Sequence, residues 1–462
     1  MRMFWVIFFI ISNVFVAQAL DLPVSQISDD SLLRIRLKDT WFTETANRVL
    51  SRRTTIEHLP GGERVEVRAV EGRDEIMVIL SRELFRGQVA TDTTLARARY
   101  ETGLYPGWAQ GSWMMTRCKE KGKGTLIRIF LRSDQFTYIQ FRPFPDEKIE
   151  DKVQMDAVLY GAYIIRSVPI AVSFDRLYTM PLNEILRLAG DKFPQHFFEP
   201  DPAMYRDSRR FVAQVRQRIG ELRFADDGAI DENGNYVFIE TLRQQTSASP
   251  GLNCSGFAKW LIDGILRPVT GTRLSINPLK APFVDRGSSF SVNWEERRDP
   301  YFGLDWIRNL AAEANGRLRS PSYRALEEFE VRSDDFSLVR VNENRTYVTS
   351  SYPGFLEEAG YGVEGLHALL YTLAINNPFS FYLAAVNNEV GAPVTPDNLR
   401  GSPRLRQYFH VAALVPYFDE FGVFRVVVFE SAAETSFSAF SSRYPGHYIN
   451  LVQIPVSAAF DP

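Results

Sequence analysis

Short runs of alternating apolar and polar residues, joined in pairs by polar turns, constrain this chain most strongly. Residues 125–131 and 136–141 both alternate with a period of two, and the turn-forming residues 132–135 separate them. A period of two places every second side chain on one face of a strand, so this pattern predicts a β-hairpin. Residues 65–69 also alternate, and residues 75–80 follow the turn at 71–74, which predicts a second hairpin. The first half of the chain is therefore expected to form an antiparallel, β-rich domain.

The overall composition limits the class of protein. Of 462 residues, 45% are hydrophobic, which is enough to bury a core and excludes a disordered chain. The 53 Lys and Arg residues against 56 Asp and Glu residues give a net charge of −3, so no excess of cations is available to bind nucleic acid. Cys118 and Cys254 are the two cysteines, which excludes a disulfide-rich scaffold or a cysteine-rich zinc site.

We expect neither a metal nor a cofactor. The acidic run at residues 231–235 has the alternating oxygen ligands of a calcium loop. It has Tyr236 where such a loop has glycine and Leu242 where it has its last carboxylate. The run is therefore interpreted as a solvated turn before a strand.

The N-terminus has the order of an export signal. Arg2 precedes an unbroken apolar run at residues 4–11, and Ala17 and Ala19 occupy the −3 and −1 positions of a cleavage site. We therefore expect residues 1–19 to be a signal peptide and the mature chain, beginning at Leu20, to be periplasmic or secreted. The alternative is an N-terminal anchor helix, but the run is short for a bilayer core about 30 Å thick.

Strand and helix patterns divide the remaining chain into two domains. Helical patterns at 182–188 and 202–219 follow the predicted strands, so residues 20–225 are interpreted as a β-rich domain with a helical tail. Residues 226–462 form the second domain, with a helical insertion at about 270–400 that includes 304–314 and 363–375. Polar residues interrupt the apolar stretch 365–386, which predicts two buried helices broken at Asn377 and Pro378 rather than a transmembrane segment.

Cys254 is the candidate nucleophile. A loop of turn-forming residues at 246–251 precedes it, and Phe257, Trp260 and Leu261 follow at helical spacing, which predicts a helix beginning at or near Cys254. Unpaired N–H groups and the positive end of the helix dipole stabilise a thiolate there, and the thiolate is the nucleophilic form of cysteine. The alternative is a buried, unreactive cysteine.

A second pattern supplies a base and an acid. His410 starts a strand-like run, the turn residues 419–422 follow, and a second run at 423–429 ends in Glu430. A hairpin closed at this turn brings Glu430 beside His410. A histidine oriented by a polar side chain is the arrangement that activates a cysteine nucleophile. His447 is the alternative base.

These residues also carry a family resemblance. The sequence Asn-Cys-Ser-Gly-Phe at 253–257 resembles the Asp-Cys-Ser-Gly-(Phe/Leu) motif of NlpC-type cysteine peptidases, papain-like enzymes that cut bacterial cell-wall peptides. The sequence His-Val-Ala at 410–412 resembles the start of the histidine strand in that family, and Glu430 takes the position of its third polar residue. The resemblance implies a papain-like α+β domain over residues 226–462, a Cys254–His410–Glu430 triad, and peptidoglycan stem peptides as substrate.

The chain departs from that family at three points. Asn253 replaces an aspartate, and Glu430 replaces the usual His, Asn or Gln. The nucleophile and the base are 410 − 254 = 156 residues apart, which the predicted insertion accounts for.

Three functions remain open. The first is an exported cysteine hydrolase. The second is a non-catalytic binding or structural protein with a degenerate peptidase fold, in which Cys118 and Cys254 could form a disulfide. The third is an acyltransferase that passes the acyl group from Cys254 to an amine or a lipid instead of water.

Overall fold

The computed structural model describes residues 22–60, 62–84, 104–146, 148–193, 195–284, 299–332, 338–341, 347–350, 355–356, 359–390 and 405–462. The predicted signal peptide and its cleavage site lie outside the described residues. The chain divides into two compact units. The first unit extends to Leu159 and also includes Ile165–Phe193. The second unit consists of Tyr160–Ile164 and Pro194–Pro462. The division thus falls after Phe193, whereas the sequence predicted a boundary at residue 225.

The first unit is built on an antiparallel sheet. Its helices are α1 (Ser31–Leu37), α2 (Ala46–Leu50), α3 (Phe174–Leu177) and α4 (Leu182–Ala189). Its strands are β1 (Thr55–His58), β2 (Arg64–Glu71), β3 (Glu75–Arg82), β4 (Trp113–Cys118), β5 (Gly124–Phe130), β6 (Tyr138–Pro143), β7 (Val153–Leu159) and β8 (Ala162–Ile170), of which β8 enters this unit at Ile165.

Strands β1 to β7 pair in the order of the sequence, each antiparallel to the next. Both predicted hairpins are confirmed, as β2–β3 and β5–β6. Val67 lies opposite Leu80 across the first hairpin, and both side chains are fully buried, as the alternation requires.

The second unit contains more helix. Its helices are α5 (Gln195–Phe198), α6 (Arg206–Ile219), α7 (Cys254–Thr270), α8 (Ile276–Leu279), α9 (Phe302–Leu318), α10 (Leu366–Asn376) and α11 (Phe437–Arg443). Its strands are β9 (Gly228–Ile230), β10 (Tyr236–Phe238), β11 (Leu338–Val341), β12 (Tyr347–Ser350), β13 (Phe355–Leu356), β14 (Gly360–Gly362), β15 (Ser380–Val390), β16 (Leu405–Phe418), β17 (Phe424–Glu430), β18 (Ala433–Ser436) and β19 (Tyr448–Pro455).

Seven of these strands form one antiparallel sheet in the order β13-β14-β19-β15-β16-β17-β18. Helix α7 packs against β16 and α9, and its residues from Ser255 to Leu266 are all buried. The predicted α+β class is confirmed. Among the described residues, no helix is both long enough and apolar enough to cross a membrane.

The central strand β15 differs from the sequence-based prediction. The first of the two helices predicted at 365–386 is confirmed as α10, but the second is wrong, because that segment is β15 and pairs with β16 and β19. Residues 381–386 are all fully buried, so they show no alternation, and a buried strand of this kind resembles a buried helix in sequence. The predicted helical insertion at 270–400 therefore contains strands as well as α8, α9 and α10.

The predicted helical tail at 202–219 belongs to the second unit. It begins with a 3-10 turn, Pro202–Tyr205, and continues as α6. The Phe211 ring stacks on Phe381 at 4.9 Å, and the Tyr205 hydroxyl donates to the carbonyl of Ala374 at 3.0 Å. These long-range contacts, which sequence proximity does not reveal, attach the tail to β15 and α10 of this unit.

Candidate active site

The first turn of α7 places Cys254. The Asn253 side chain caps the helix, since its Oδ1 accepts the N–H of Gly256 at 2.8 Å, and its own backbone N–H donates to the carbonyl of Gly228 at 2.9 Å. The prediction that a helix begins at Cys254 is confirmed. The N–H of Cys254, as the first helical residue, has no acceptor within the helix.

Buried polar contacts fix this end of α7 to its neighbours. Lys259 is fully buried, and its Nζ donates to the carbonyl of Ile230 at 2.7 Å and to Asp263 at 2.6 Å. The indole N–H of Trp306 on α9 donates to the carbonyl of Ser255 at 2.9 Å. A shift of α7 would separate the buried Lys259 ammonium from the Ile230 carbonyl and the Trp306 N–H from its acceptor, so the helix has little freedom to move.

The hairpin of β16 and β17 brings His410 and Glu430 together. Pairing between the two strands ends with Ala413 opposite Phe429. Glu430 is one residue beyond this pair on β17, and His410 is three residues beyond it on β16. Both are an odd number of residues from the pair, so their side chains point to the same face of the sheet. The Nε2 of His410 lies 2.7 Å from the Oε2 of Glu430. Their side chains are only 14% and 4% exposed, so water competes little for this hydrogen bond.

Cys254 lies on the other side of the His410 ring from Glu430. Its thiol is hydrogen-bonded to the His410 side chain, to the backbone N–H of Val411 and to the Ser255 side chain. Because Glu430 takes Nε2, Nδ1 is the ring nitrogen left for the sulfur. The structure thus brings the three predicted residues into one hydrogen-bonded chain, Cys254–His410–Glu430.

These contacts shift the pKa values of all three side chains in the direction that favours their charged forms. Burial alone would raise the pKa of Cys254, but the hydrogen bond and positive charge of His410 outweigh it and lower that pKa. Burial opposes the charged form of His410, yet hydrogen bonds to Cys254 and Glu430 raise its pKa to about 9. Despite burial, hydrogen bonds from His410, Arg443 and Thr435 lower the pKa of Glu430 to about 2. At neutral pH the arrangement favours a thiolate beside an imidazolium.

The alternative base, His447, has different neighbours. Its Nδ1 lies 3.1 Å from the carbonyl of Pro445, and its ring centroid lies 5.7 Å from that of Tyr444. Tyr444 in turn lies 5.8 Å from the ring of His410. The structure therefore places His447 at the edge of the site, with an aromatic ring between it and His410.

Three participants were not predicted from the sequence. The backbone N–H of Val411 bonds the sulfur, Arg443 bonds the second oxygen of Glu430, and Tyr444 lies against the histidine ring. Arg443 and Tyr444 reach the site because α11 folds back onto β17. No local motif marks that contact.

Alkylation rates should distinguish the two cysteines. Cys118 and Cys254 are both free and both partly exposed, so exposure does not separate them. The lowered pKa of Cys254 increases its thiolate fraction near neutral pH. We expect iodoacetamide to modify Cys254 at least about tenfold faster than Cys118, as measured by mass spectrometry of the two peptides. Equal rates, or faster modification of Cys118, would contradict an activated thiol.

Comparison with known proteins finds a family model that matches the N-terminal part of the chain. The model of a domain of unknown function, DUF8515, matches residues 23–197. No curated protein and no solved structure matches the chain. The matched segment ends before Cys254, so it adds nothing about the chemistry of the hydrogen-bonded residues.

Proposed function

We propose that the chain is an exported cysteine hydrolase that cleaves peptidoglycan stem peptides with Cys254, His410 and Glu430. The observation that carries this proposal is the hydrogen-bonded order of the three side chains, with a partly exposed cysteine at a helix N-terminus and a nearly buried carboxylate behind the histidine. A buried carboxylate of this kind fixes the orientation of the imidazole and stabilises its charged form.

The chemistry follows from the positions of the groups. The Cys254 thiolate attacks the carbonyl carbon of the peptide, and the oxygen that becomes negative is stabilised by the backbone N–H of Cys254. His410 gives its proton to the departing amine, the carbon–nitrogen bond breaks, and an acyl-enzyme thioester remains. His410 then takes a proton from water, the hydroxide attacks the thioester, and the carboxylic acid leaves while Cys254 returns to the thiolate.

The substrate class and the location rest on the sequence. The motif at 253–257 resembles that of enzymes acting on cell-wall peptides, and residues 1–19 have the order of an export signal. An exported enzyme would meet the wall directly. The first unit, with its antiparallel sheet, would then hold the wall polymer or position the stem peptide.

Purified wall sacculi provide the test. We expect the wild-type protein to release peptides from sacculi and Cys254→Ala to release none, because the variant lacks the nucleophile. Cys118→Ala should match the wild type, since Cys118 lies in β4 of the other unit. Release by Cys254→Ala at the wild-type rate, or no release by either protein, would overturn the proposal.

The two alternatives predict different products. The non-catalytic alternative allows a disulfide between Cys118 and Cys254, and both are free thiols in the structure. An acyltransferase would use the same three residues and leave the acyl group on an amine or a lipid, which mass spectrometry of the products would detect.

A further inference from the structure

Glu430 has a second partner besides His410. While its Oε2 lies 2.7 Å from the histidine, its Oε1 accepts a hydrogen bond from the guanidinium of Arg443. The Glu430 side chain is 4% exposed, so its charge depends on protein groups for compensation. Thr435 supplies a further side-chain hydrogen bond. Each oxygen of the carboxylate is therefore held, and the carboxylate is not free to rotate.

The fold delivers Arg443 to this position by a tight turn. Immediately after Glu430, Ser431 and Ala432 both have positive φ values, 47° and 62°, and the chain reverses so that Ala433 pairs with Glu430. Such φ values are uncommon for residues with a side chain, yet they give the turn that joins adjacent strands most tightly. Strand β18 and helix α11 follow, and Arg443 is the last residue of that helix.

We propose that Arg443 is a positioning residue for the nucleophile: by holding Oε1 of Glu430 it keeps Oε2 on Nε2 of His410 and so keeps Nδ1 directed at Cys254. This inference rests on the proposed function, because it concerns the same three side chains. Arg443 acts only through Glu430.

The charges around the pair set the direction of the effect. His410 faces Cys254 from α7 and Glu430 from β17. Helix α11 contributes the Arg443 guanidinium, and the residue after it contributes the Tyr444 hydroxyl. Loss of Arg443 frees the Glu430 carboxylate, because the guanidinium bonds that carboxylate. The imidazolium is then no longer held toward the sulfur, which reduces the stabilisation of the Cys254 thiolate.

The test measures the thiol itself and needs no substrate. In the full-length protein, the rate of iodoacetamide alkylation of Cys254 is followed against pH by mass spectrometry. We expect Arg443→Met to move the midpoint of this curve to higher pH by roughly half a unit to one unit. Arg443→Lys, which keeps the charge but loses the planar fork, should give a smaller shift.

A matched control and a double variant isolate the path through Glu430. Arg216 forms a similar ion pair with Glu434, and its side chain is 48% exposed against 47% for Arg443, so Arg216→Met should leave the midpoint unchanged. When Glu430→Ala is already present, Arg443→Met should add no further shift, because there is no carboxylate left to position.

Two results would overturn the inference: an unchanged midpoint in Arg443→Met, or an equal shift with and without Glu430. If Arg443 only held α11 in place, the shift would be equal with and without Glu430. These outcomes are separate from the proposed function. If the wild-type protein shows a lowered midpoint that responds to Arg443 but releases no wall peptides, the substrate is wrong and the positioning role stands.

Discussion

Replacing His410 by alanine is expected to slow peptide release from wall sacculi by about 10⁴-fold. The variant loses the group that stabilises the thiolate, protonates the leaving amine and deprotonates water. All three tasks fall on one side chain, since His410 lies between Cys254 and Glu430 in the hydrogen-bonded chain.

The matched control for this variant is His447→Ala. His447 lies at the edge of the same site, with Tyr444 between it and His410. Its removal changes the local aromatic surface but leaves the hydrogen-bonded chain intact, so the rate should stay within about threefold of the wild type. An inactive His447→Ala with an active His410→Ala would reverse the assignment of the base.

The pH profile of the wild-type protein gives an independent check of His410. The raised pKa of His410, about 9, means that the imidazolium persists through neutral pH and is lost as the pH rises through that value. The lowered pKa of Cys254 means that the thiolate is lost only on the acid side. Activity should therefore fall above pH 9, where the leaving amine loses its proton donor.

Gly256→Ala is expected to reduce activity strongly by moving the nucleophile. A Cβ at this position would lie 1.9 Å from the carbonyl oxygen of Gly228 and 2.9 Å from the Cα of Ala229. Both are backbone atoms of β9 and cannot move aside as a flexible side chain can. The first turn of α7 must shift instead, which carries Cys254 away from His410. We expect a loss of about 3 kcal/mol in the free energy of unfolding and at least about 100-fold in rate.

Gly220→Ala is the matched control for this substitution. Gly220 follows the end of α6 with a φ of −65°, and no heavy atom lies within 4 Å of its added Cβ. Its unfolding free energy, measured by urea denaturation, should change by less than about 0.5 kcal/mol, and its activity should match the wild type. Equal stability and activity in the two variants would contradict the close packing of α7 on β9.

Local patterns were sufficient to predict the position of the candidate site. The helix that begins at Cys254 follows from turn-forming residues and the spacing of Phe257, Trp260 and Leu261. The approach of Glu430 to His410 follows from residue counting across one hairpin. Such contacts depend on residues close in sequence, where turn chemistry and periodicity determine the geometry.

The remaining features depend on long-range contacts or on unusual backbone conformations. Arg443 reaches Glu430 through a turn at Ser431 and Ala432, where the glycine or asparagine that signals such a turn is missing. Strand β15 is buried on both faces and therefore lacks an alternating pattern. The attachment of α6 to the second unit depends on ring packing between Phe211 and Phe381, 170 residues apart (381 − 211 = 170).

Hydrolysis of wall sacculi in water labelled with heavy oxygen tests the central claim most directly. If Cys254 forms an acyl-enzyme that water resolves, each peptide released by the wild-type protein carries one labelled oxygen in a new carboxyl group, and Cys254→Ala releases no such peptide. Mass spectrometry of the released peptides gives both results in one experiment. New carboxyl groups without the label, or the same labelled peptides from Cys254→Ala, would contradict a cysteine hydrolase.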